Sequence, residues 1–462
     1  MLDRTVTGCT LDSRAVEAGD LYAALPGTFA HGADFAAQAV SAGATAVLTD
    51  PAGALRWSSY ELPLLVAEDP RSLLGDVARW VHDDPAAGML LYAITGTNGK
   101  TTTAFLLEAG LRAAGHRTGL IGTVLTRIGA DVVPSIRTTP EAPDLQALLA
   151  VMRERDTTAV VVEVSSHALS LGRVDGLRFD VAAFTNLSQD HLDFHPSMED
   201  YEAAKASLFT PARARRAVLN VDDPAGRRIA RHTTLPVTTY GEDADWRVRE
   251  VDLRSDGSRF RLLGPGVDVR ASLRLPGAFN VANAVAAVAA LATAGVPVED
   301  AVRGIAELSG VPGRMERIDA GQPFLALVDY AHTPDAVTRL LATVRSVTSG
   351  RVIVVLGCGG NRDRAKRPRM AAAAAGAADL VVLTSDNPRE EDPQTILTEM
   401  AVAAPDAVLE VDRRAAIALA VRAARAGDAV VVAGKGHETG QEAAGQVTPF
   451  DDRQVLRELL GS

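Results

Sequence analysis

The chain is short of cysteine, of long apolar runs and of clustered positive charge. Cys9 and Cys358 are its only cysteines in 462 residues; their number and distance in sequence exclude a disulfide framework and a zinc knuckle, and both are read as reduced. Cys358 stands in a Gly-Cys-Gly-Gly turn at 357–360, where no partner is implied for a nucleophile and a small turn residue is the simpler reading. No segment approaches the roughly 18 uninterrupted apolar residues of a membrane span, and Met1-Leu2-Asp3-Arg4 leads into no signal-peptide stretch. A protein without a membrane span, placed in the cytoplasm, is therefore expected. The 47 Lys and Arg against 58 Asp and Glu leave a formal charge of −11, and the basic residues are scattered. No nucleic-acid partner is expected from such a field, whereas small phosphorylated ligands stay open because a single site can be locally basic.

Hydrophobic residues make up 47%, enough to fill the three or so domains that this length suggests. Over 1–86, short apolar runs alternate with helical text, which predicts a small α/β domain closed by the linker-like Asp83-Asp84-Pro85-Ala86-Ala87-Gly88. Over 87–312, buried-strand runs at 89–94, 159–164 and 181–185 alternate with helices and predict a mostly parallel sheet, with antiparallel strands on its flank from 245 to 273. Beyond Val311-Pro312-Gly313, the runs at 324–329, 352–357, 380–384 and 429–433 each end in polar or glycine residues. That pattern predicts a doubly wound domain over 313–462 with its ligand site at the carboxyl ends of the strands.

The strongest single feature is Thr95-Gly96-Thr97-Asn98-Gly99-Lys100-Thr101-Thr102-Thr103, directly after a strand run. Gly96 and Gly99 allow close backbone approach to phosphate, Lys100 can reach the outer phosphates, and the Thr101 hydroxyl can ligate magnesium. The spacing departs from the usual phosphate-loop pattern, because Ile94 stands where a first glycine is expected. Glu163 at the next strand's tip is suited to magnesium or to a plain ion pair. His191, between Asp190 and Asp193, reads as a metal ligand or a structural turn histidine. Taken alone, Lys205 would be a solvated helix lysine and Arg314 a surface arginine.

Four segments occur in order: Thr-Gly-Thr-Asn-Gly-Lys-Thr at 95–101, Glu-Val-Ser-Ser-His at 163–167, Asn-Leu-Ser-Gln-Asp-His-Leu-Asp-Phe-His at 186–195 and Tyr-Glu-Ala-Ala-Lys-Ala-Ser-Leu-Phe at 201–209. Together they resemble the Mur ligases, ATP-dependent amide synthetases of peptidoglycan precursor assembly. The resemblance implies three domains: a small N-terminal α/β domain for the UDP-sugar, a central P-loop ATPase-like parallel-sheet domain, and a C-terminal Rossmann-like doubly wound domain for the amino acid. It implies ATP and Mg2+ as cofactors. It makes Lys205 a carbamate that helps hold a second magnesium, and makes Lys100, Glu163, His191 and Lys205 the catalytic set, with the two magnesium ions at Thr101, Glu163, His191 and Lys205. ATP is expected at Gly96, Thr97, Asn98, Gly99, Lys100, Thr101 and Thr102, at Asn280 and Asn283 on one helical face, and at Arg314.

Leu11, Ser13, Thr28, Phe29 and Ala30 match the family's uridine-diphosphate side, and Thr138, Thr139, Ser165 and Arg173 its muramoyl-dipeptide contacts. Asp386-Asn387-Pro388-Arg389 resembles the signature of the diaminopimelate-adding members; Arg362, Gly434 and Glu438 join it, supplying cations for carboxylates and an acid for ammonium groups. The implied partners are UDP-N-acetylmuramoyl-L-alanyl-D-glutamate and diaminopimelate, with L-lysine or another diamino acid as the alternative, and a monomer is expected. Leu171, Arg137 and Asn361 depart from the common pattern and bear on substrate contacts only. A folylpolyglutamate synthetase-like enzyme is the nearest rival, and a non-catalytic subunit a more distant one.

Overall fold

The computed structural model describes residues 5–27, 29–57 and 61–461. Its first sheet has four parallel strands in the order Gly8–Thr10, Asp20–Ala24, Ala46–Thr49, Leu64–Val66. The helix Pro70–Val81 starts where Asp69 accepts from the Arg71 and Ser72 amides, with proline at the first turn, and its Leu74 and Ala78, one turn apart, face inward. This core is shared: Leu74 packs with Cys9, Leu21 and Ala142, the last belonging to the helix Ala142–Glu154 of the following unit.

The second sheet has eight strands, in the order Val237–Tyr240, Ala217–Asn220, Val181–Phe184, Leu90–Thr95, Ala159–Glu163, Thr118–Ile121, Leu125–Ile128, Asp131–Pro134. The first six run parallel and the last two antiparallel. The uninterrupted apolar runs seen in the sequence follow from burial on both faces. Lys100–Ala113 and the alanine-rich Ala278–Thr293 cover one face, and Ala142–Glu154 the other. Leu90–Thr95 lies between Val181–Phe184 and Ala159–Glu163, so the segments after all three strands open onto one crevice. The three strands Arg247–Arg254, Gly257–Gly264 and Val267–Leu273 form the expected antiparallel flank.

The third sheet runs Glu316–Arg317, Leu325–Asp329, Ala429–Ala433, Val352–Cys358, Leu380–Ser385, Val408–Leu409, parallel except at its first strand. Arg413 and Asp452, both fully buried, form a two-point ion pair at 2.7 Å. The same guanidinium donates to the Ser385 and Ala433 carbonyls. It thus ties together the ends of two strands that carry the candidate amino-acid site. Two hairpins were not read from the sequence: 125–134 at the edge of the central sheet and 440–449 in the third unit. Among the described residues no helix is long and apolar enough to cross a membrane.

Candidate functional site

The loop 96–99 takes its shape from glycine and from the neighbouring strand. Gly96 (φ 146°) and Gly99 (φ 86°) occupy backbone that other residues rarely adopt. A Cβ on Gly96 would lie 1.9 Å from Thr185 Oγ1, and one on Gly99 2.4 Å from Asn283 Oδ1. Thr185 donates to the Asn98 carbonyl at 2.6 Å, and Asn186 both accepts from the Asn98 amide and donates to its carbonyl. Lys100 donates to the Gly96 and Thr97 carbonyls; burial lowers its pKa. Asn283 donates to Asn280, which donates to the Pro276 carbonyl. Thr97, Asn98, Gly99, Lys100, Thr101 and Thr102, with both asparagines, His191 and Arg314, line one cleft of about 250 Å³.

Thr101 donates to Glu163 Oε2 at 2.9 Å. Glu163 is fully buried and also accepts from the Thr123 amide and hydroxyl. All three of these donors are neutral, and among the described residues no Lys or Arg comes within ion-pair distance of this carboxylate. Gly122 has no room for a side chain, since its Cβ would lie 2.1 Å from Glu163 Oε1. Lys205 is likewise buried, and among the described residues no carboxylate pairs with it: its amine donates to the Gly96 carbonyl at 2.9 Å and lies 4.3 Å from the Tyr201 ring centroid. Burial, with the Lys100 charge second, pushes its pKa well below the lysine range.

His191 sits in left-handed backbone (φ 55°), with Nε2 3.5 Å from Asp190 and its ring against His167. Burial lowers its pKa to about 3, leaving a neutral imidazole able to ligate. Burial acts to raise the Asp190 pKa, but the hydrogen bond and charge of His332 outweigh it and hold the carboxyl well below its usual range. No group of three or more His, Cys, Asp or Glu among the described residues is arranged to hold a metal. The ligand set expected from the sequence takes a different composition: a threonine hydroxyl, one glutamate, one histidine and a modified lysine.

The segment 138–141 joins the first unit to the crevice. Thr138 shares a hydrogen bond with Thr123, and Thr139 donates to the Glu163 carbonyl and accepts from the Ser165 amide. Arg173 pairs with Glu141 at 2.8 Å and donates to the Thr139 carbonyl, leaving its Nε buried without a protein partner. In the first unit Ser13 donates to Gln38, Leu11 is partly buried, and Phe29 and Ala30 are exposed. Thr28 lies outside the described residues.

In the third unit the residues matched to diaminopimelate converge. Asn387 accepts from Lys435 and donates to Glu438. Arg389 (φ 53°) donates to the Gly360 carbonyl and pairs with Glu442. A Cβ on Gly434 would lie 2.6 Å from the buried Asp386, and Pro388 approaches Gly360 closely. Arg362 reaches across to Asp193 of the central unit at 3.4 Å. Other contacts cross the same seam. Arg314 rests on the Tyr330 ring and donates to Thr101, while Asn98 donates to Asp335.

The sequence reading missed Thr123, Asp190 as the partner of His332, and Glu442. Thr123 follows a strand paired in parallel with Ala159–Glu163, and the Gly-Thr step after that strand was the available signal. Glu442 lies in the unforeseen hairpin and left none.

The chain matches the family model described as Mur ligase middle domain over residues 94–291, the one described as Mur ligase, glutamate ligase domain over 313–436, and the one described as Mur ligase family, catalytic domain over 5–79. It is 57% identical to a UDP-N-acetylmuramoyl-L-alanyl-D-glutamate--2,6-diaminopimelate ligase of Streptomyces coelicolor, over 98% of this chain and 92% of that one. A solved structure of a ligase of the same name is 34% identical, with a TM-score of 0.68 over 98% of this chain and 94% of that one. The MurF ligase of Thermotoga maritima in complex with ADP shares the fold at 17% identity, with a TM-score of 0.68 over 100% and 98% of the two chains.

Proposed function

Because the chain belongs to the Mur ligase family, we propose that it joins diaminopimelate to UDP-N-acetylmuramoyl-L-alanyl-D-glutamate with ATP, forming ADP and phosphate, in the cytoplasm. Its working units are residues 1–86 for the UDP-sugar, 87–312 for ATP and 313–462 for the amino acid. The observation that carries this reading is the hydrogen bond from Arg314 to Thr101. It brings the amino-acid unit onto the phosphate loop, so that acid, phosphoryl donor and amine have one place to meet.

A carboxylate is a poor acyl donor at neutral pH. Its oxygen attacks the γ-phosphorus, ADP leaves, and the resulting acyl phosphate is attacked by the amine; the new C–N bond forms as the C–O bond to phosphate breaks. Lys100 and Arg314 supply positive charge to the transferring phosphoryl oxygens. Arg173 and the threonines at 138 and 139 orient the acid. Arg362 and Arg389 take the carboxylates of the diamino acid, and Glu438 an ammonium group.

Magnesium fits these residues, because Glu163 is a buried anion held only by neutral donors beside the Thr101 hydroxyl. Thr101 and Glu163 would hold one ion, and His191 with carbamylated Lys205 the other. Bound there, they would neutralise phosphate charge. The depressed Lys205 pKa favours the neutral amine, which adds carbon dioxide and releases a proton to give the carbamate. Enclosure between the units excludes water that would hydrolyse the acyl phosphate.

A phosphate-release assay tests the function. Release is expected only with ATP, the dipeptide nucleotide and diaminopimelate together; release with glutamate in place of diaminopimelate would favour the folylpolyglutamate-type reaction.

A further inference from the structure

The two arginines matched to the carboxylates of the diamino acid stand on different loops. Arg362 follows the strand Val352–Cys358 and Arg389 follows Leu380–Ser385. The strands pair as far as Cys358 with Ser385, so both arginines lie beyond the ladder that holds one strand against the other.

Other contacts close the loops on each other. The Gly360 amide donates to the Asn387 carbonyl, Arg389 donates to the Gly360 carbonyl at 2.7 Å, and a Cβ on Gly360 would lie 1.9 Å from the Pro388 oxygen. Asn361, in left-handed backbone (φ 51°), turns to the facing loop: its amide donates to Glu391 and its side-chain oxygen accepts from the Glu390 amide.

Arg367 of the helix Lys366–Ala375 ties the loops a second time, with its side chain fully buried. Its guanidinium makes a two-point pair with Glu391 at 2.8 and 3.0 Å and donates to the Gly359 carbonyl. Glu391 Oε1 receives both this guanidinium and the Asn361 amide. A planar fork fixes a carboxylate in direction as well as distance. The chain Arg367, Glu391, Asn361 ends one residue from Arg362 and passes two residues from Arg389. Arg367 has a second carboxylate, Glu399 of the helix Pro393–Ala401, at 2.6 Å. Glu399 binds the side chains of Arg367 and Arg364 and, among the described residues, makes no hydrogen bond to 359–361 or 387–391.

A diamino acid with a carboxylate at each end presents two anions a set number of methylenes apart. Two cations can tell one length from the next only where their own separation is held to about 0.5 Å. We propose that Arg367 and Glu391 are positioning residues for the amino acid: through Asn361 their ion pair fixes the separation of Arg362 and Arg389, and so the length of dicarboxylic diamino acid that the site accepts. The inference rests on the ligase reading above.

Tripeptide formation with diaminopimelate and with its homologue one methylene longer tests it. The wild-type protein is expected to prefer diaminopimelate; no product with either acid sinks the ligase reading itself, and equal use of both overturns only the present inference. Glu391→Ala frees the loops while leaving Arg367 paired with Glu399. It is expected to raise KM for diaminopimelate about 10-fold, as a misplaced binding group does, to narrow the preference over the longer acid, and to leave KM for ATP and for the dipeptide nucleotide unchanged. Glu399→Ala removes the other carboxylate of the same arginine and is expected to keep the wild-type KM and preference. Equal effects in the two variants, or an unchanged preference in Glu391→Ala, overturn the proposal. Should Glu391→Ala fail to fold, Glu391→Gln decides: a narrowed preference supports the proposal and the wild-type preference overturns it.

Discussion

At the scale of single residues, the site is built on two buried ionisable groups that, among the described residues, have no partner of opposite sign within ion-pair distance. Glu163 is satisfied only by neutral hydrogen bonds, and Lys205 only by a backbone carbonyl. An uncompensated buried charge is costly, so Glu163 calls for a cation, and burial holds Lys205 towards the neutral amine that can be modified. Lys205→Ala is expected to lose at least about 100-fold in kcat, the scale of removing one charge-stabilising group. Wild-type protein depleted of carbon dioxide at alkaline pH is expected to lose activity and regain it on adding bicarbonate. Full activity in the alanine variant, or indifference to bicarbonate, removes the carbamate from the account.

At the scale of elements, the strands were the legible part, because burial on both faces writes them as continuous apolar runs bounded by polar ends. Leu90–Thr95, Ala159–Glu163 and Val181–Phe184 all stand within a residue or so of their expected places. The hairpin 440–449 was not legible: its strands are four residues each, the first mostly half-buried and the second exposed, with no alternation set by a core. Residues that depend on neighbouring strands were invisible for a related reason. The Gly122-Thr123 step marks a strand end but not which strand lies beside it; parallel pairing brings Thr123 to Glu163. The Arg413–Asp452 pair is of the same kind. Arg413→Ala leaves Asp452 as an unpaired buried charge and is expected to destabilise the C-terminal unit by about 3–5 kcal/mol. Calorimetry should show that unit's transition moving down, and an unchanged thermogram contradicts the assigned role.

The histidines around 167–195 make this region acid-sensitive. Burial lowers His167 to about 4, His191 to about 3, and His195 below its ordinary value. Each binds fewer protons folded than unfolded, so stability is held above about pH 6.5 and falls as pH drops towards 4. A melting-temperature series from pH 7.5 to 4.5 (roughly spanning these titrations) is expected to decline, and His167→Asn to flatten that decline; parallel curves for both proteins would contradict it.

For the whole molecule, segments of the second and third units line a common cleft, and the seam between them is held by small polar contacts: Asn98 with Asp335, Arg314 with Thr101, Arg362 with Asp193. Contacts of this kind are weak singly and easily exchanged for ligand contacts. Small-angle scattering is expected to show a radius of gyration that falls when an ATP analogue and the dipeptide nucleotide are added. An unchanged profile contradicts closure as the step that aligns the amine.

The acyl phosphate is the intermediate through which the proposed ligase chemistry must pass. With heavy oxygen in the free glutamyl carboxylate of the dipeptide nucleotide, the mass of the released phosphate is decisive: one heavy oxygen per phosphate is predicted, because the carboxylate oxygen leaves with the phosphoryl group. Unlabelled phosphate released together with tripeptide product would contradict it.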